Sequence, residues 1–172
     1  MGGEFGQFIE WKDQEGLDWL LLDYESHRQM RTFTAQLNKL YVSEKALWEL
    51  DHDMSGYQWI NADDQNQSVV SYIRKGKKPG DSLLVIINFQ PVEHTQYRIG
   101  VPSAGTYEER FTSESTAFGG SGIHNAPRKS EKFEWHNQVN SIEITIPPLS
   151  FLVFKKTGRK RKNEPIETII NP

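Results

Sequence analysis

The first 24 residues read MGGEFGQFIEWKDQEGLDWLLLDY. Glycines suited to sharp turns, the carboxylate of Glu4, the amide of Gln7 and the rings of Trp11, Trp19 and Tyr24 crowd together there, as at the lip of an active site. A carboxylate can accept hydrogen bonds or carry a proton, an amide can bind a hydroxyl, and an indole face can stack on a flat apolar surface. Catalysis by acid and base needs a second group set against the first. No carboxylate can be assigned as a partner to Glu4.

Elsewhere the search for chemistry is mostly negative. Gly119-Gly-Ser-Gly122 is not a nucleophile elbow, because Ile123 stands where the last glycine belongs, and it reads as a loop needing φ > 0. The five histidines, His27, His52, His94, His124 and His136, have no ligand spacing, and cysteine is absent, so neither a metal site nor a thiol nucleophile is expected. No cofactor motif is present. The acidic pairs Asp63-Asp64 and Glu108-Glu109 read as solvated charge at turns or strand edges. With 20 basic and 23 acidic residues the net charge is −3, which gives no field for nucleic acid. The longest apolar run, Leu83 to Ile87, is far short of a membrane span of roughly 20 residues. With no secretory signal pattern at Met1, the expected location is cytoplasmic.

The elements that must position these residues change character along the chain. Met30, Phe33, Leu37, Leu40 and Tyr41 recur at helical spacing, which predicts an amphipathic helix from about Tyr24 to Tyr41. A short helix capped by Ser43 and running to about Glu49 follows, and the Asp51 to Gly56 cluster ends it. Beyond Gly56 the pattern predicts strands over Tyr57 to Asn61, Val69 to Lys75, Leu83 to Phe89, Gln96 to Val101, Tyr107 to Phe111, Lys132 to Trp135, Ile142 to Ile146 and Phe151 to Lys156. Between the second and third, Lys75 to Asp81 predicts a hairpin turn in which Gly76 and Gly80 can take φ > 0. The all-apolar Leu83 to Phe89 reads as a central strand buried on both faces. Short strands with such turns predict a mostly β fold, an antiparallel β-sandwich.

Several ordered pieces resemble a known family. Met1 to Gln7 with Glu10-Trp11, Leu17-Asp18-Trp19 and Leu37-Asn-Lys-Leu-Tyr41 are similar to the end of the catalytic barrel in glycogen branching enzymes of the α-amylase superfamily. Ser68 to Arg74, Val85 to Pro91, Tyr97 to Pro102, Gly105-x-Tyr107, Phe118 to Gly122 and Pro147-Pro148-Leu149 resemble that family's C-terminal β domain, in the same order.

The resemblance implies a division of the chain. Residues 1–55 would be the C-terminal remnant of a (β/α)8 barrel, with Met1 to Gly6 its last strand and the start of the loop after it; 56–156 would be the β-sandwich, and 157–172 a basic polar tail containing Arg159-Lys-Arg-Lys162. The family cleaves an α-1,4 glucan by retaining double displacement and passes the chain to a 6-hydroxyl. Its catalytic carboxylates would lie upstream of Met1, so no catalytic residue is assigned here and this chain alone is expected to be inactive. In the parent, Gln7 would bind a sugar hydroxyl, Trp11 would stack on sugar or pack, and Glu4 would orient the loop outside the catalytic triad. The implied partners are α-glucan and the remaining barrel, with no nucleic acid and no membrane.

Apolar residues of the first 23, Met1, Phe5, Phe8, Ile9 and Trp11 with some of Leu17 and Trp19 to Leu22, would need cover from that barrel or from self-association through residues 1–23. Trp19 is expected in the core, and Trp48, Trp59 and Trp135 in core or interface rather than in a surface glucan platform. A stand-alone α-glucan-binding module and an assembly partner that docks on a barrel are the other functions compatible with this pattern.

Overall fold

The expected helical stripe becomes α1, Glu25–Ser43, in a computed structural model that describes residues 1–11 and 13–157. The basic block Arg159 to Lys162 lies outside the described residues. Phe33, Leu37 and Leu40 are spaced to share one face of α1, and they pack half-buried against Ala46, Leu83, Phe111 and Val153. The rings of Phe33 and Phe111 sit 5.8 Å apart. No residue of α1 is fully buried, so its opposite face stands open. The second helix shrinks to a 3-10 turn, Lys45–Leu47, preceded by Glu44 at its cap rather than by Ser43. The Ser43 hydroxyl donates back to Leu40 O instead, while the buried Glu44 carboxylate accepts from Lys155 Nζ at 2.5 Å and ties the helix end to the sheet.

The strands are β1 Tyr57–Asp64, β2 Val69–Lys75, β3 Ser82–Asn88, β4 His94–Val101, β5 Thr106–Thr112, β6 Arg128–Lys129, β7 Asn140–Ile146 and β8 Phe151–Thr157. Six form one sheet in the order β1-β2-β3-β8-β5-β6, and β4 pairs with β7 in a second; every pairing is antiparallel. The result is three layers: α1, the large sheet, the small sheet. Strand alternation sends Leu84, Ile86, Leu152 and Phe154 toward Ile99, Val101, Ile142 and Ile144 of the small sheet, and Leu83 and Val153 toward the helix. β3 is thus buried on both faces, as its unbroken apolar run implies. In β5 a bulge between Glu109 and Phe111 adds one residue, which moves Phe111 from the Tyr107 face to the helix face. The Tyr107 hydroxyl donates to Ser103 O at 2.8 Å and fastens the start of that strand.

Four local expectations are corrected. Lys132 to Trp135 is not a strand: β6 lies earlier, and this run contributes only the isolated bridge Trp135↔Gln138, after the bridge Glu131↔Ser141 just before it. His136 and Asn137 both take φ > 0, at 50° and 57°, and close a two-residue turn between Trp135 and Gln138 before a strand can extend. Met1 to Gly6 forms no strand either, but a 3-10 turn over Gly3–Phe5 flanked by Gly2 and Gly6 at φ 75° and 73°. Its amides are satisfied locally, with Phe5 N–H and Gln7 N–H both donating to Gly2 O. The hairpin at Lys75 to Asp81 forms, yet neither Gly76 nor Gly80 has φ > 0. Gly76 answers to space instead, since a Cβ there would lie 2.8 Å from Asp81 Cβ. Finally, β3 stops one residue before Phe89, which is exposed; Asn88 ends the strand with its buried amide donating to Val92 O and Pro147 O, both at 2.8 Å. No helix among the described residues is long and apolar enough to cross a membrane.

Candidate functional site

The N-terminal lip is built on two left-handed glycines. A Cβ on Gly2 would come within 2.8 Å of Gln7 Cβ, so the turn closes only around a bare backbone. The closed turn carries Phe5 inward, where it is buried and stacks on Trp19 with ring centroids 5.2 Å apart. His27 Nδ1 of α1 meets Phe5 O at 2.7 Å, and the Phe8 ring lies edge-on to the same imidazole. Helix α1 is therefore the platform on which the lip rests.

The three residues singled out in this stretch fare differently. Gln7 turns its amide inward along the loop: Nε2 donates to Ile9 O at 3.1 Å and Oε1 accepts from Asp18 N–H at 3.0 Å. Both ends of the amide are committed to holding residues 7–18 together. Glu4 is exposed on the outer side of the 3-10 turn, and Trp11 stands 81% exposed. No hydrogen bond or ring contact joins Glu4, Gln7 and Trp11 to one another among the described residues. Around them Met1, Phe8, Ile9 and Leu20 are also exposed, so the lip presents an apolar surface in which Glu4 and Glu10 place exposed carboxylates. Trp19, expected in the core, is exposed over more than half its surface, because only the ring face against Phe5 is covered. Phe5 and Leu21, by contrast, find burial within the chain.

On the sandwich, Trp48, Trp59 and Trp135 are all exposed, so none of them is the core residue expected as one alternative to an interface role. Trp59 belongs to an aromatic group on β1 and β2. The Tyr57 and Tyr72 rings stack at 5.1 Å, and Trp59 meets both edge-on at 5.1 and 5.9 Å. The signal was in the sequence: Tyr57-x-Trp59 alternates onto one strand face, and an antiparallel neighbour brings Tyr72 opposite Trp59. Arg74, the next outward residue of β2, donates to Leu47 O and to Asp51 Oδ1, and the guanidinium holds the Asp51 carboxyl below its usual value.

One acidic pair was misread. Glu109 is not a solvated edge charge; its side chain is 6% exposed and faces His124 Nδ1 at 3.1 Å. It also accepts from Asn125 N–H and from Asn125 Nδ2, at 3.1 and 2.9 Å, while that amide reaches Thr145 O of β7. Glu109 thus anchors the loop between β5 and β7, and Glu44, the other carboxylate lining the groove beside it, is committed to Lys155. The glycine loop 119–122 behaves as expected, with Gly119 and Gly122 at φ 84° and 82° and Glu114 accepting from the Ser121 N–H and hydroxyl. No cluster of three or more His, Asp or Glu able to hold a metal ion occurs among the described residues.

Comparison with known proteins places this geometry. Residues 59–157 match the family model for the alpha amylase C-terminal all-beta domain. Over 157 residues, 90% of this chain, it is 48% identical to the 1,4-alpha-glucan branching enzyme GlgB of Halothermothrix orenii, covering 25% of that protein. Similar matches reach the GlgB proteins of Desulfitobacterium hafniense, 47% identical over 90% of this chain, and of Bacillus cytotoxicus, 47% over 94%; this chain covers 25% of each. It spans about a quarter of the length of the curated relatives it matches. The matched model begins within β1 and ends with β8, so it takes in both sheets of the sandwich. The chain belongs to the family of alpha-amylase C-terminal all-beta domains.

Proposed function

We propose that this chain works as the C-terminal part of a 1,4-alpha-glucan branching enzyme, an enzyme that cleaves an α-1,4 glucan and transfers the released chain to a 6-hydroxyl. The carrying observation is the identity of 48% with a branching enzyme over 157 residues, 90% of the chain, a match longer than the sandwich alone. In this reading residues 1–55 complete the catalytic barrel, 56–156 form the sandwich beside it, and 157–172 are a basic polar tail. The apolar lip then meets other barrel elements, and the open face of α1 is covered by them. Glu4, Gln7 and Trp11 serve the substrate from the edge: Trp11 offers a stacking face, Gln7 fixes the loop that carries it, and Glu4 orients the turn. The chemistry requires a nucleophilic carboxylate and a proton-carrying carboxylic acid on opposite sides of one glycosidic bond, and this chain supplies neither. Glucan is the partner in this reading, and the cytoplasm the location.

The test is complementation. A GlgB relative shortened by the matching C-terminal quarter is assayed for branching with iodine-stained amylose, alone and with this chain. Branching restored by the mixture and absent from either part is the expected result. Iodine colour lost on incubation with this chain alone, growing with its concentration, contradicts the reading.

A second reading, a stand-alone α-glucan-binding module, is favoured by the Tyr57, Trp59 and Tyr72 group, in which Trp59 is exposed and the two tyrosines are half-buried, since a ring face presented to solvent can stack on a sugar. One stacking surface gives affinity on the order of millimolar, because association costs offset most of its gain. A micromolar constant for maltoheptaose that is lost in Trp59→Ala would move the assignment to that class.

A further inference from the structure

A second aromatic surface lies on the outer face of the small sheet, away from α1. There Arg98 of β4 and Glu143 of β7 are register partners, and beside them opens a groove of about 590 Å³. This lies within the range of roughly 300–1,000 Å³ typical of small-ligand sites. Phe133 and Trp135 form one wall, 51% and 42% exposed, with ring centroids 6.3 Å apart.

The wall is held rigidly. His136 and Asn137 in the left-handed region turn the chain back just after Trp135. The Trp135 carbonyl sits where a Cβ on Gly100 would lie only 2.1 Å away, so the hairpin packs down on β4 because that residue is glycine. The Arg98 guanidinium lies 4.6 Å from the Phe133 centroid. It donates to Glu131 and Ser141, both at 2.9 Å, and to Glu143, which fixes its plane. Opposite, the Tyr97 hydroxyl donates to Asp64 at 2.5 Å, and Gln96 is held at φ 54°. His94 Nε2, shielded from solvent at the same wall, has no hydrogen-bond partner among the described residues. Left-handed non-glycine residues on both sides of one groove are the kind of backbone strain that gathers at binding sites.

The lining chooses among ligands. Asp64, Glu93 and Glu143 outnumber Arg98, so a phosphate backbone is repelled. Too many polar groups face the groove for an apolar helix. A pyranose fits both features, with an apolar ring face for the indole and a rim of hydroxyls for carboxylate, amide and guanidinium. We propose that this groove is a non-catalytic site for a short run of glucose units of an α-glucan chain, with one unit stacked on Trp135. The choice of an α-glucan rests on the branching-enzyme reading; the choice of a sugar rests on the groove. Trp59 is outside it, so the two aromatic surfaces are separate. A chain held here stays tethered to the protein while its ends remain free.

The experiment uses the full 172-residue chain, whose five tryptophans give five indole N–H resonances. Maltoheptaose is titrated to about 10 mM, a range suited to a millimolar site. The Trp135 resonance is expected to move with saturation, and Trp135→Ala to weaken binding at that site about 10-fold, a loss of one stacking surface. In Trp59→Ala the Trp135 shift persists. An unmoved Trp135 resonance in the unmodified chain overturns the proposal without relying on any variant's folding. Equal binding of β-linked cellohexaose overturns the α-glucan assignment. Restored branching in the complementation assay with a silent Trp135 defeats this site alone; failed complementation with a responding Trp135 defeats the activity reading alone.

Discussion

Phe8 and Phe154 are the same side chain in opposite circumstances. Phe154 is fully buried between two sheets, with Leu84 beside it in register and Ile144 among its core neighbours. Phe8 is 80% exposed on a loop whose hydrogen bonds are short-range apart from those that reach Asp18 and α1. The sandwich satisfies its backbone through ladders and its apolar groups through a two-sided core. The lip satisfies its backbone through glycine turns and leaves most of its apolar groups in water. A fold that closes on itself in one region and offers a wet apolar surface in another is built to be covered there. This contrast, more than any single residue, supports the reading of the lip as part of a larger barrel.

The sharpest break of the comparison is by truncation. Phe154→Ala should cost about 3–5 kcal/mol and Leu84→Ala about 2–5 kcal/mol, because each leaves a cavity in a core that cannot collapse. Phe8→Ala and Trp11→Ala should each stay within about 0.5 kcal/mol in the isolated chain. Urea unfolding measures both sets, and comparable losses from the two regions would erase the distinction. Next in size is the tie between α1 and the sheet. Glu44→Gln should cost about 2 kcal/mol, since it removes the charge that Lys155 meets across the layer and keeps the shape. If Glu44→Gln unfolds at the same urea concentration as the parent, α1 is held by Phe33, Leu37 and Leu40 alone.

Much of this contrast could be read from residue order. The helix emerged because its apolar residues kept a period close to 3.6, and β3 because four successive buried residues, Leu83 to Ile86, needed cover on both sides. What could not be read depended on a neighbour. Phe111 faces the helix because of one inserted residue in β5, and a bulge has no fixed signature in a period-two pattern. Lys132 to Trp135 has strand composition, yet the turn at His136 and Asn137 overrides it. Glu109 looked like surface charge, and only the fold brings Asn125 and His124 to it. At the lip, Gln7 was legible as an amide at the right place, but its engagement with Asp18 and Ile9 required the loop's path. Trp19 carried the composition of a core residue, yet in the fold it meets Phe5 on a ring face and is otherwise largely exposed.

The smallest effect expected is a pH dependence of the sandwich and of the segment that leads into it. Burial lowers the His136 pKa below its ordinary value, against a weaker opposing pull from Asp64. Gly100 N–H points at its Nδ1, Asn61 Nδ2 lies 3.2 Å from its Nε2, and the Trp135 ring stands alongside. Because the folded pKa is the lower one, the stabilisation is complete above about pH 6.5 and is lost as the pH falls through the folded value. Glu49, Asp51 and Asp53 are also lowered, by the Lys77 amide, Arg74 and the Ser55 amide respectively, and their contributions fade in the same direction below about pH 4. An NMR titration of the His136 ring should find its midpoint below the ordinary histidine value of about 6.5; a midpoint above it would reverse the sign.

Amide exchange tests the central claim most directly, followed first in the isolated chain at low concentration and then with the shortened GlgB relative added. In the isolated chain, residues 1–11 and 13–23 should exchange far faster than Leu83 to Asn88, because no ladder and little core hold them. With the relative present, the lip and the open face of α1 should gain protection while β3 is unchanged. Equal protection of lip and β3 in the isolated chain, or a lip that stays fast when branching is restored, would contradict the account.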